Sequence, residues 1–341
     1  MNAILVFLLS GGVTASLVPI ARRIAGRTGF VAAPTESRFH ARPTPMLGGL
    51  ACLAGVAVAI AAGAGLFGMR PEARDQSLFA ALALGSCGFL AIGLWDDRRS
   101  LSAATKAALQ GVLLLGAVAV WRPTAPWAGV GGAAAAWAIM MLLVNAWNYL
   151  DHADGLLATH GAIAAAVLAV STAAAGGAGS AAHATLWALA GAFLGFLAWN
   201  RPVASIFLGD AGSLPLAFIA VLCSLALLSR DRAAAIPAAI SAHALVLADF
   251  VLVTAARLAR KRNPFIGGRE HTGHRLFTAI GPWPALAVLA LCDAAIGCAA
   301  LWFGPPAPVA TAFAVSLVIP LGALAASRLP PPPAGSDPQV H

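Results

Sequence analysis

Eleven stretches of this sequence run for about 20 residues with almost no charged side chain, which is what an α-helix needs to cross a bilayer. They lie at about 2–21, 47–68, 78–95, 104–120, 132–149, 161–177, 183–199, 213–229, 235–256, 283–303 and 307–327. Only 10% of the 341 residues are charged, which is too few to cover a water-soluble domain. The sequence therefore predicts an all-α, polytopic transmembrane helix bundle with about eleven spans.

The apolar runs follow one another closely, without room for a separate soluble domain. We predict a single transmembrane domain over residues 1–328. The Pro-rich segment 329–341 is predicted to be a disordered tail. The first run lacks a basic leader and a clear cleavage site, so we expect it to be kept as the first helix.

The distribution of Lys and Arg predicts the orientation. Sorted by loop, 16 of these residues fall on one side of the membrane and 5 on the other. Basic residues concentrate in cytoplasmic loops, so we expect the N-terminus outside and the C-terminus in the cytoplasm. The net charge of +8 then follows from membrane topology, and no basic module in the sequence indicates nucleic-acid binding.

Acidic residues and histidines collect on the same predicted cytoplasmic side. They come from five loops, at about 22–46, 96–103, 150–160, 200–212 and 257–282. The outer loops hold only Glu72, Asp75 and Asp231. If loops were merely where polar residues lie, both sides would share them, so this asymmetry predicts a site at the inner membrane surface.

Paired carboxylates, Asp96 and Asp97, end the third predicted span. Two carboxylates near a membrane are costly unless paired or bound to a cation, and Mg²⁺ prefers such ligands together with substrate phosphates. The alternative is that they cap the helix starting near Leu101, but Ser102 already provides a suitable N-cap for it.

Two further segments carry polar residues at predicted span ends. Asn148, Asp151 and Asp154 are spaced by three, which on a helical turn keeps them roughly on one face; they suit a metal, a ribose or a sugar hydroxyl, or are simply a polar helix end. Asp210 stands in the segment 209–212, Gly-Asp-Ala-Gly. Its glycines let a backbone approach a ligand closely, although an ordinary turn has the same composition.

Histidines and basic residues form the last two segments. His271 and His274 follow a cluster of four basic residues within 257–262, which predicts an anion-binding loop suited to a diphosphate. A zinc site is an alternative for the two histidines, although the sequence shows no close third ligand. His40 lies in the Pro- and Gly-rich segment 38–49 and is either a phosphate contact or a surface residue.

A few polar residues lie within or beside the apolar runs. We expect His160, His183 and His243 to have structural roles. Asp249 is either a site residue or a partner of the nearby Arg257. For Asp293 the sequence offers no partner within its run.

Together the five segments, in matching order from about Arg38 to Leu276, resemble the polyprenyl-phosphate N-acetylhexosamine-1-phosphate transferase family. This family includes bacterial initiators of O-antigen and teichoic-acid synthesis and the muramyl-pentapeptide transferase of peptidoglycan synthesis. The resemblance implies transfer of a HexNAc-1-phosphate, first of all GlcNAc-1-phosphate, from a UDP-N-acetylhexosamine to polyprenyl phosphate, with release of UMP. It further implies Mg²⁺, or Mn²⁺ as an alternative, and a site on the cytoplasmic face of the bacterial plasma membrane.

The resemblance also implies roles for individual residues. The implied catalytic residues are Asp96, Asp97, Asp151, Asp154, His271 and His274. The implied substrate-binding residues are His40, Lys106, Asn148, Arg269 and Arg275. The implied metal ligands are Asp210 and Asp97.

The sequence departs from the family pattern at two positions. The family usually has Asp-Gly-x-Asp-Gly, whereas residues 151–155 read Asp-His-Ala-Asp-Gly. The histidine motif usually ends in two adjacent histidines, whereas Gly273 precedes His274 here. These departures leave the sugar open, and an inactive paralogue is a competing interpretation.

A muramyl-pentapeptide phosphotransferase is the alternative within the family. Two competing functions involve different chemistry: an aromatic-acceptor prenyltransferase and a secondary transporter. The prenyltransferase would need a second Asp-rich loop, which this sequence lacks, and the transporter would carry charges near the bilayer midplane. The sequence also leaves the oligomeric state open, a homodimer included.

Overall fold

The computed structural model describes residues 3–32, 43–66, 73–124, 126–261 and 271–303. These residues are almost entirely helical, as predicted. The helices are α1 Ala3–Thr28, α2 Gly48–Leu66, α3 Ala73–Arg99, α4 Ala103–Trp121, α5 Gly129–Leu150, α6 Leu156–Thr172, α7 Ala181–Asn200, α8 Asp210–Leu228, α9 Arg232–Ala259, α10 Thr272–Ile280 and α11 Pro282–Phe303. A short π-helical turn, Ala173–Gly177, extends α6.

Ten of the described helices, all except α10, are long and apolar enough to cross a membrane. They correspond to the first ten predicted spans. The eleventh predicted span, 307–327, and the Pro-rich tail lie outside the described residues. The architecture is therefore that of a multi-pass membrane protein. The full span count and the orientation of the termini stay predictions.

The helix α8 lies at the centre of the bundle. Within its apolar window 89% of the residues are buried, compared with 22% for α1 and for α4. It packs against α2, α3, α5 and α7. A Cβ placed on Gly212 would come within 2.5 Å of the Cα of Gly49, so small residues bring the starts of α8 and α2 together. Close approach at small residues is how transmembrane helices pack tightly.

Two short strands are an addition to the predicted all-α fold. Strand β1, Val31–Ala32, pairs antiparallel with β2, Thr44–Pro45. Beyond β2, the N–H of Phe207 donates to the carbonyl of Pro45 at 2.8 Å, and the N–H of Gly48 donates to the carbonyl of Phe207 at 3.0 Å. The segment before α2 is thereby attached to the loop that precedes α8.

The predicted loop 257–282 is partly wrong, because its last third is helical. The short helix α10 starts at Thr272, with His271 in the N-cap position. This helix packs against α11, and its first turn is buried. The histidine motif is therefore fixed at a helix start.

The histidines expected to be structural all have partners inside the bundle. His160 Nδ1 lies 2.7 Å from Asp293 Oδ2, which supplies the partner that the sequence did not reveal for Asp293. Trp147 donates to Nδ1 of His243 at 3.0 Å, and His183 Nδ1 lies 3.0 Å from a backbone carbonyl of α6. These contacts agree with structural roles for the three histidines.

Candidate functional site

Two carboxylates from different helices meet at one ammonium group. The Nζ of Lys106, in the first turns of α4, donates to Asp96 Oδ2 at 2.9 Å and also to Asp210 Oδ2. Asp96 is held in turn by the backbone N–H of Leu101 at 2.6 Å. The three side chains keep 16–23% exposure, so a ligand can still reach them. The end of α3 and the starts of α4 and α8 thus form a cation-binding position.

The neighbouring carboxylate, Asp97, caps the start of α8. Its Oδ1 accepts from the backbone N–H of Asp210 at 2.9 Å, and its Oδ2 accepts from that of Ala211 at 3.0 Å. The first N–H groups of a helix have no intrahelical partner, and a carboxylate there also interacts favourably with the helix dipole. The alternative of Asp-Asp capping was therefore placed at the wrong helix: Asp97 caps α8, and Ser102 caps α4 by accepting from Thr105 N at 3.1 Å.

A glycine makes the Asp97 contact with α8 possible. Gly209 has a positive φ of 69°, a conformation that other residues rarely adopt. A Cβ at this position would come within 2.6 Å of Asp97 Oδ2 and 2.7 Å of the Met46 carbonyl oxygen. The Gly-Asp-Ala-Gly segment is therefore a specific packing element rather than an ordinary turn.

The amide of Asn148, near the end of α5, completes this group. Its Nδ2 donates to Asp210 Oδ1 and to Ser213 Oγ, both at 2.8 Å. Asp210 thus receives hydrogen bonds from both Asn148 and Lys106, which orient both of its carboxylate oxygens. Four predicted site residues, Asp96, Lys106, Asn148 and Asp210, lie together here.

The expectation that Asn148, Asp151 and Asp154 share one helical face was wrong. The helix α5 ends at Leu150, Asp151 is its C-cap residue, and a turn follows. Asp154 Oδ2 accepts from the backbone N–H of Ala204 at 2.9 Å. Asp154 therefore contacts the loop before α8, whereas Asn148 contacts α8 itself.

The histidine motif is attached to an acidic residue of α9. His271 Nδ1 donates to Asp249 Oδ2 at 2.8 Å, and the backbone N–H of Thr272 donates to Asp249 Oδ1 at 2.7 Å. Asp249 is 1% exposed, so its charge depends on these donors. The sequence left Asp249 undecided between Arg257 and a site role; a buried ionisable residue within a span is the signal that favours the site role.

Imidazoles crowd around His271. The ring of His152 stacks on it with centroids 4.2 Å apart and planes inclined by 27°, and His274 lies 4.8 Å from His152 between centroids. Burial, reinforced by His271, lowers the pKa of His152 from 6.5 to about 4. His152 is therefore neutral at pH 7.

The zinc alternative gains ligands that the sequence did not reveal. Ligand atoms of His152, Asp249 and His271 lie within 4.8 Å of one another, a group that includes His271 but not His274. However, Nδ1 of His271 is hydrogen-bonded to Asp249 at 2.8 Å, and Nδ1 of His152 lies 2.9 Å from the carbonyl oxygen of Tyr149. These hydrogen bonds leave only the Nε2 atoms of the two rings for a ligand, and Asp249 already accepts from both His271 and Thr272, so the described contacts are those of a hydrogen-bonded cluster.

The end of α5 lies against both groups of residues. Asn148 contacts Asp210, while the next residue, Tyr149, places its ring 5.6 Å from that of His271. The hydroxyl of Tyr149 also accepts from Arg257 at 3.5 Å. Arg275 is buried in the first turn of α10. Two more residues with implied binding roles, His40 and Arg269, lie outside the described residues.

Comparison with known proteins agrees with this geometry. A family described as "Glycosyl transferase family 4" matches residues 79–228, a range that includes Asp96, Lys106, Asn148 and Asp210 but not the histidine motif. The decaprenyl-phosphate N-acetylglucosaminephosphotransferase of Mycolicibacterium smegmatis is 31% identical over 356 aligned residues, covering 90% of this chain and 85% of that protein.

Two more relatives match over different shares of the chain. The undecaprenyl-phosphate alpha-N-acetylglucosaminyl 1-phosphate transferase of Thermotoga maritima is 27% identical, over 78% of this chain and 79% of that protein. The phospho-N-acetylmuramoyl-pentapeptide-transferase of a Synechococcus species is 36% identical, but over only 54% of this chain and 55% of that protein. With identity above 30% across most of both chains, the chain belongs to glycosyl transferase family 4, the polyprenyl-phosphate N-acetylhexosamine-1-phosphate transferases.

Proposed function

We propose that this protein transfers N-acetylglucosamine-1-phosphate from UDP-N-acetylglucosamine to a polyprenyl phosphate, releasing UMP. The reaction takes place at the cytoplasmic face of the bacterial plasma membrane and begins the assembly of a cell-surface polysaccharide. The names of the relatives that match over most of the chain support the sugar and the acceptor. The one-sided distribution of basic loops supports the cytoplasmic face.

The convergence of Asp96 and Asp210 on the Lys106 ammonium carries this proposal. Two carboxylates meet one ammonium here, so a net negative charge remains when both are ionised. Carboxylate oxygens are the ligands that Mg²⁺ prefers, together with substrate phosphates, so this excess of carboxylates favours a divalent cation. The residues therefore fit the metal that the family implies.

We assign Asp210 and Asp96 as the metal ligands. Asp97 is assigned a positioning role, because it holds the start of α8. Both oxygens of Asp97 already accept backbone N–H groups of α8, so its main effect is to hold Asp210 in place, whereas the family resemblance implies a direct ligand. When bound, Mg²⁺ would reduce the repulsion between the two phosphate groups. Lys106 and Asn148 orient Asp210 for that purpose.

The remaining predicted residues are assigned to the donor. Asp151 and Asp154, in the turn after α5, are assigned to the ribose and sugar, and His271 with Arg275 is assigned to the diphosphate. The Asp249 carboxylate fixes the His271 ring with its Nδ1–H directed inward, so Nε2 is left to contact the ligand. A phosphate monoester has a second pKa near 6 and is mostly deprotonated at pH 7, so the reaction needs positioning more than a general base.

The test uses membranes containing the protein, radiolabelled UDP-N-acetylglucosamine and polyprenyl phosphate, with Mg²⁺ or with a chelator. We expect label in the lipid extract together with an equal amount of UMP, and neither product in the chelator. A transporter would move label without forming lipid product, and an inactive paralogue would leave the donor intact; either result contradicts the proposal.

A panel of UDP-sugars, each tested as the donor substrate, determines which sugar the protein prefers. The panel includes UDP-N-acetylmuramyl-pentapeptide, because one relative that matches about half of the chain is named a phospho-N-acetylmuramoyl-pentapeptide-transferase. We expect UDP-N-acetylglucosamine to give the higher kcat/KM, since the names of the relatives that match over most of the chain specify N-acetylglucosamine. Preference for the pentapeptide donor would contradict the proposed sugar and would indicate the muramyl-pentapeptide transferase activity of peptidoglycan synthesis instead.

A further inference from the structure

The two departures from the family pattern lie in contact in the folded chain. A Cβ added to Gly273 would come within 2.5 Å of His152 Nε2 and 3.4 Å of its Cδ2, and within 2.7 Å of Cδ2 of Leu156, the end of a flexible side chain. Real Cβ atoms do not approach other atoms so closely, so any side chain at position 273 would displace both the Leu156 methyl group, which can rotate away, and the His152 ring, which is held by its hydrogen bond to Tyr149. The unusual histidine at 152 and the unusual glycine at 273 therefore depend on each other, although they are 121 residues apart in the sequence.

The ring of His152 lies where a side chain at position 273 would point. It stacks on His271 at 4.2 Å and approaches His274 at 4.8 Å between centroids. Position 273 stands between these two histidines in the first turn of α10. His152 therefore gives the motif a third imidazole, from the turn after α5 rather than from α10.

The orientation of His152 is fixed by the backbone. A carbonyl oxygen only accepts, so Nδ1 carries the proton and donates to the Tyr149 carbonyl at 2.9 Å. The other nitrogen, Nε2, is then an acceptor that faces Gly273, and it has no hydrogen-bond partner among the described residues. The side chain is 8% exposed, so packing as well as hydrogen bonding holds it.

We propose that His152 and Gly273 are a matched pair, in which the His152 imidazole replaces the histidine that the family pattern has at 273 and positions His271 and His274 for the diphosphate. This inference rests on the proposed function for its effect on turnover. The contact itself predicts non-additive substitutions independently of any reaction, because residues in direct contact couple energetically. His152 is a positioning residue in this account, since it acts through the other two histidines.

The test is a double-mutant cycle on the full chain in detergent. His152→Gly removes the third imidazole, and Gly273→His places a second imidazole into an occupied space; each is expected to lower kcat/KM for the UDP-sugar at least about tenfold. The double variant His152→Gly/Gly273→His restores the family pattern and is expected to recover to within about threefold of the wild type. Loss and recovery of KM for the UDP-sugar, compared at a temperature well below the melting temperature of every variant, distinguish positioning from a merely structural role.

A milder cycle protects the test against unfolding of the single variants. Gly273→Ala is expected to lower activity and melting temperature in the presence of His152, and to lower both by clearly less in the His152→Gly background, where only the flexible end of Leu156 meets the new methyl group. The control is His183→Asn, which alters a buried histidine on α7 whose Nδ1 contacts a backbone carbonyl; it is expected to keep its kcat/KM.

The outcomes separate the two proposals. If the wild type does not turn over, the proposed function fails, and coupling between positions 152 and 273 is still expected in the melting temperatures. If the wild type is active but both cycles are additive, the matched pair is wrong. Stoichiometric zinc in the purified protein, lost on His152→Gly, would also overturn it, because a metal would then hold the rings together.

Discussion

Lys106 is the residue whose contacts say most about the reaction. Its ammonium lies between Asp96 and Asp210, which come from different helices. We expect Lys106→Met to lower kcat at saturating Mg²⁺ by about 100-fold, the usual effect of removing one group that stabilises developing charge. Purified variant and wild type are compared by the rate of UMP release.

A conservative substitution controls for charge alone. Lys106→Arg keeps the charge, but a planar guanidinium does not fit a position built for a compact ammonium, so we expect partial activity at most. Wild-type turnover by Lys106→Met would contradict a role for this cation in the site.

His152 predicts how stability depends on pH. Burial lowers the pKa of this imidazole from 6.5 to about 4, so below pH 6.5 the unfolded chain takes up a proton that the folded chain does not. The stabilisation is therefore complete above pH 6.5 and decreases as the pH falls towards 4, by roughly 3 kcal/mol in all.

Melting temperatures measured in detergent at pH 7.5 and pH 5 test this dependence. His152→Asn lacks the titrating group, so we expect its melting temperature to fall less between the two pH values than that of the wild type. Parallel decreases in the two proteins would show that other groups determine the acid sensitivity.

For single residues, the sequence was informative where the residue type itself indicates the chemistry of the site. Asp96, Asn148 and Asp210 were selected from three separate segments, and Lys106 through the family resemblance; the four share hydrogen bonds in the structure. Asp249 was left undecided, because its partner His271 is 22 residues away and no local pattern reveals such a pairing. The packing of His152 on His271 was missed for the same reason.

Among the elements, the start of α8 determines the geometry of the site. Asp97 caps it, and Gly209 has a φ of 69° in the one position that lets Asp97 approach. We expect Gly209→Ala to destabilise the protein by about 1–3 kcal/mol, because the backbone conformation is strained for alanine and the new methyl group meets Asp97. A lower melting temperature together with lost activity is the expected result.

The matched control for this substitution is Gly26→Ala. Gly26 lies inside α1, and a Cβ there would meet nothing within 4 Å. Alanine has the higher helix propensity, so this variant is expected to melt at or above the wild-type temperature with unchanged activity. If Gly209→Ala behaved like Gly26→Ala, the close approach at the start of α8 would not matter.

Elements were predicted well where apolar length decides and poorly where a tertiary contact decides. The ten described spans correspond to runs of apolar residues. The end of α5 at Leu150 was predicted to within a residue by the apolar run 132–149. The short helix α10 was not anticipated, because its segment is polar and its conformation depends on a distant partner, Asp249.

Across the whole molecule, a buried polar pair joins α6 to α11. His160 and Asp293 are 2.7 Å apart with side-chain exposures of 0% and 4%. Removing one member of a buried pair leaves the other without compensation, so we expect Asp293→Leu to lower the free energy of unfolding by roughly 3–5 kcal/mol.

Replacing both members removes the uncompensated group. We expect His160→Leu/Asp293→Leu to be more stable than Asp293→Leu alone, in melting experiments in detergent, and to keep its transferase activity because the pair lies within the bundle. A double variant less stable than the single one would contradict this account of the pair.

The arrangement of the whole chain was predictable in outline from charge and hydropathy. Separate loops were expected to meet at one surface, and the described contacts unite the end of α3, the start of α4, the end of α5 and the start of α8. The sequence could not give the central position of α8, because its apolar composition resembles that of the peripheral helices, and only packing distinguishes 89% burial from 22%.

The most direct test of the account is UMP release by purified Asp210→Asn at saturating Mg²⁺, with Asp231→Asn as the control. Asp210 joins Lys106 and Asn148, while Asp231 is an exposed residue just before α9. We predict that Asp210→Asn loses at least about 100-fold in kcat, as expected when a group of the reacting centre is removed, and that Asp231→Asn turns over like the wild type. Undiminished UMP release by Asp210→Asn, with a normal melting temperature, would contradict the claim that the chemistry takes place at the start of α8.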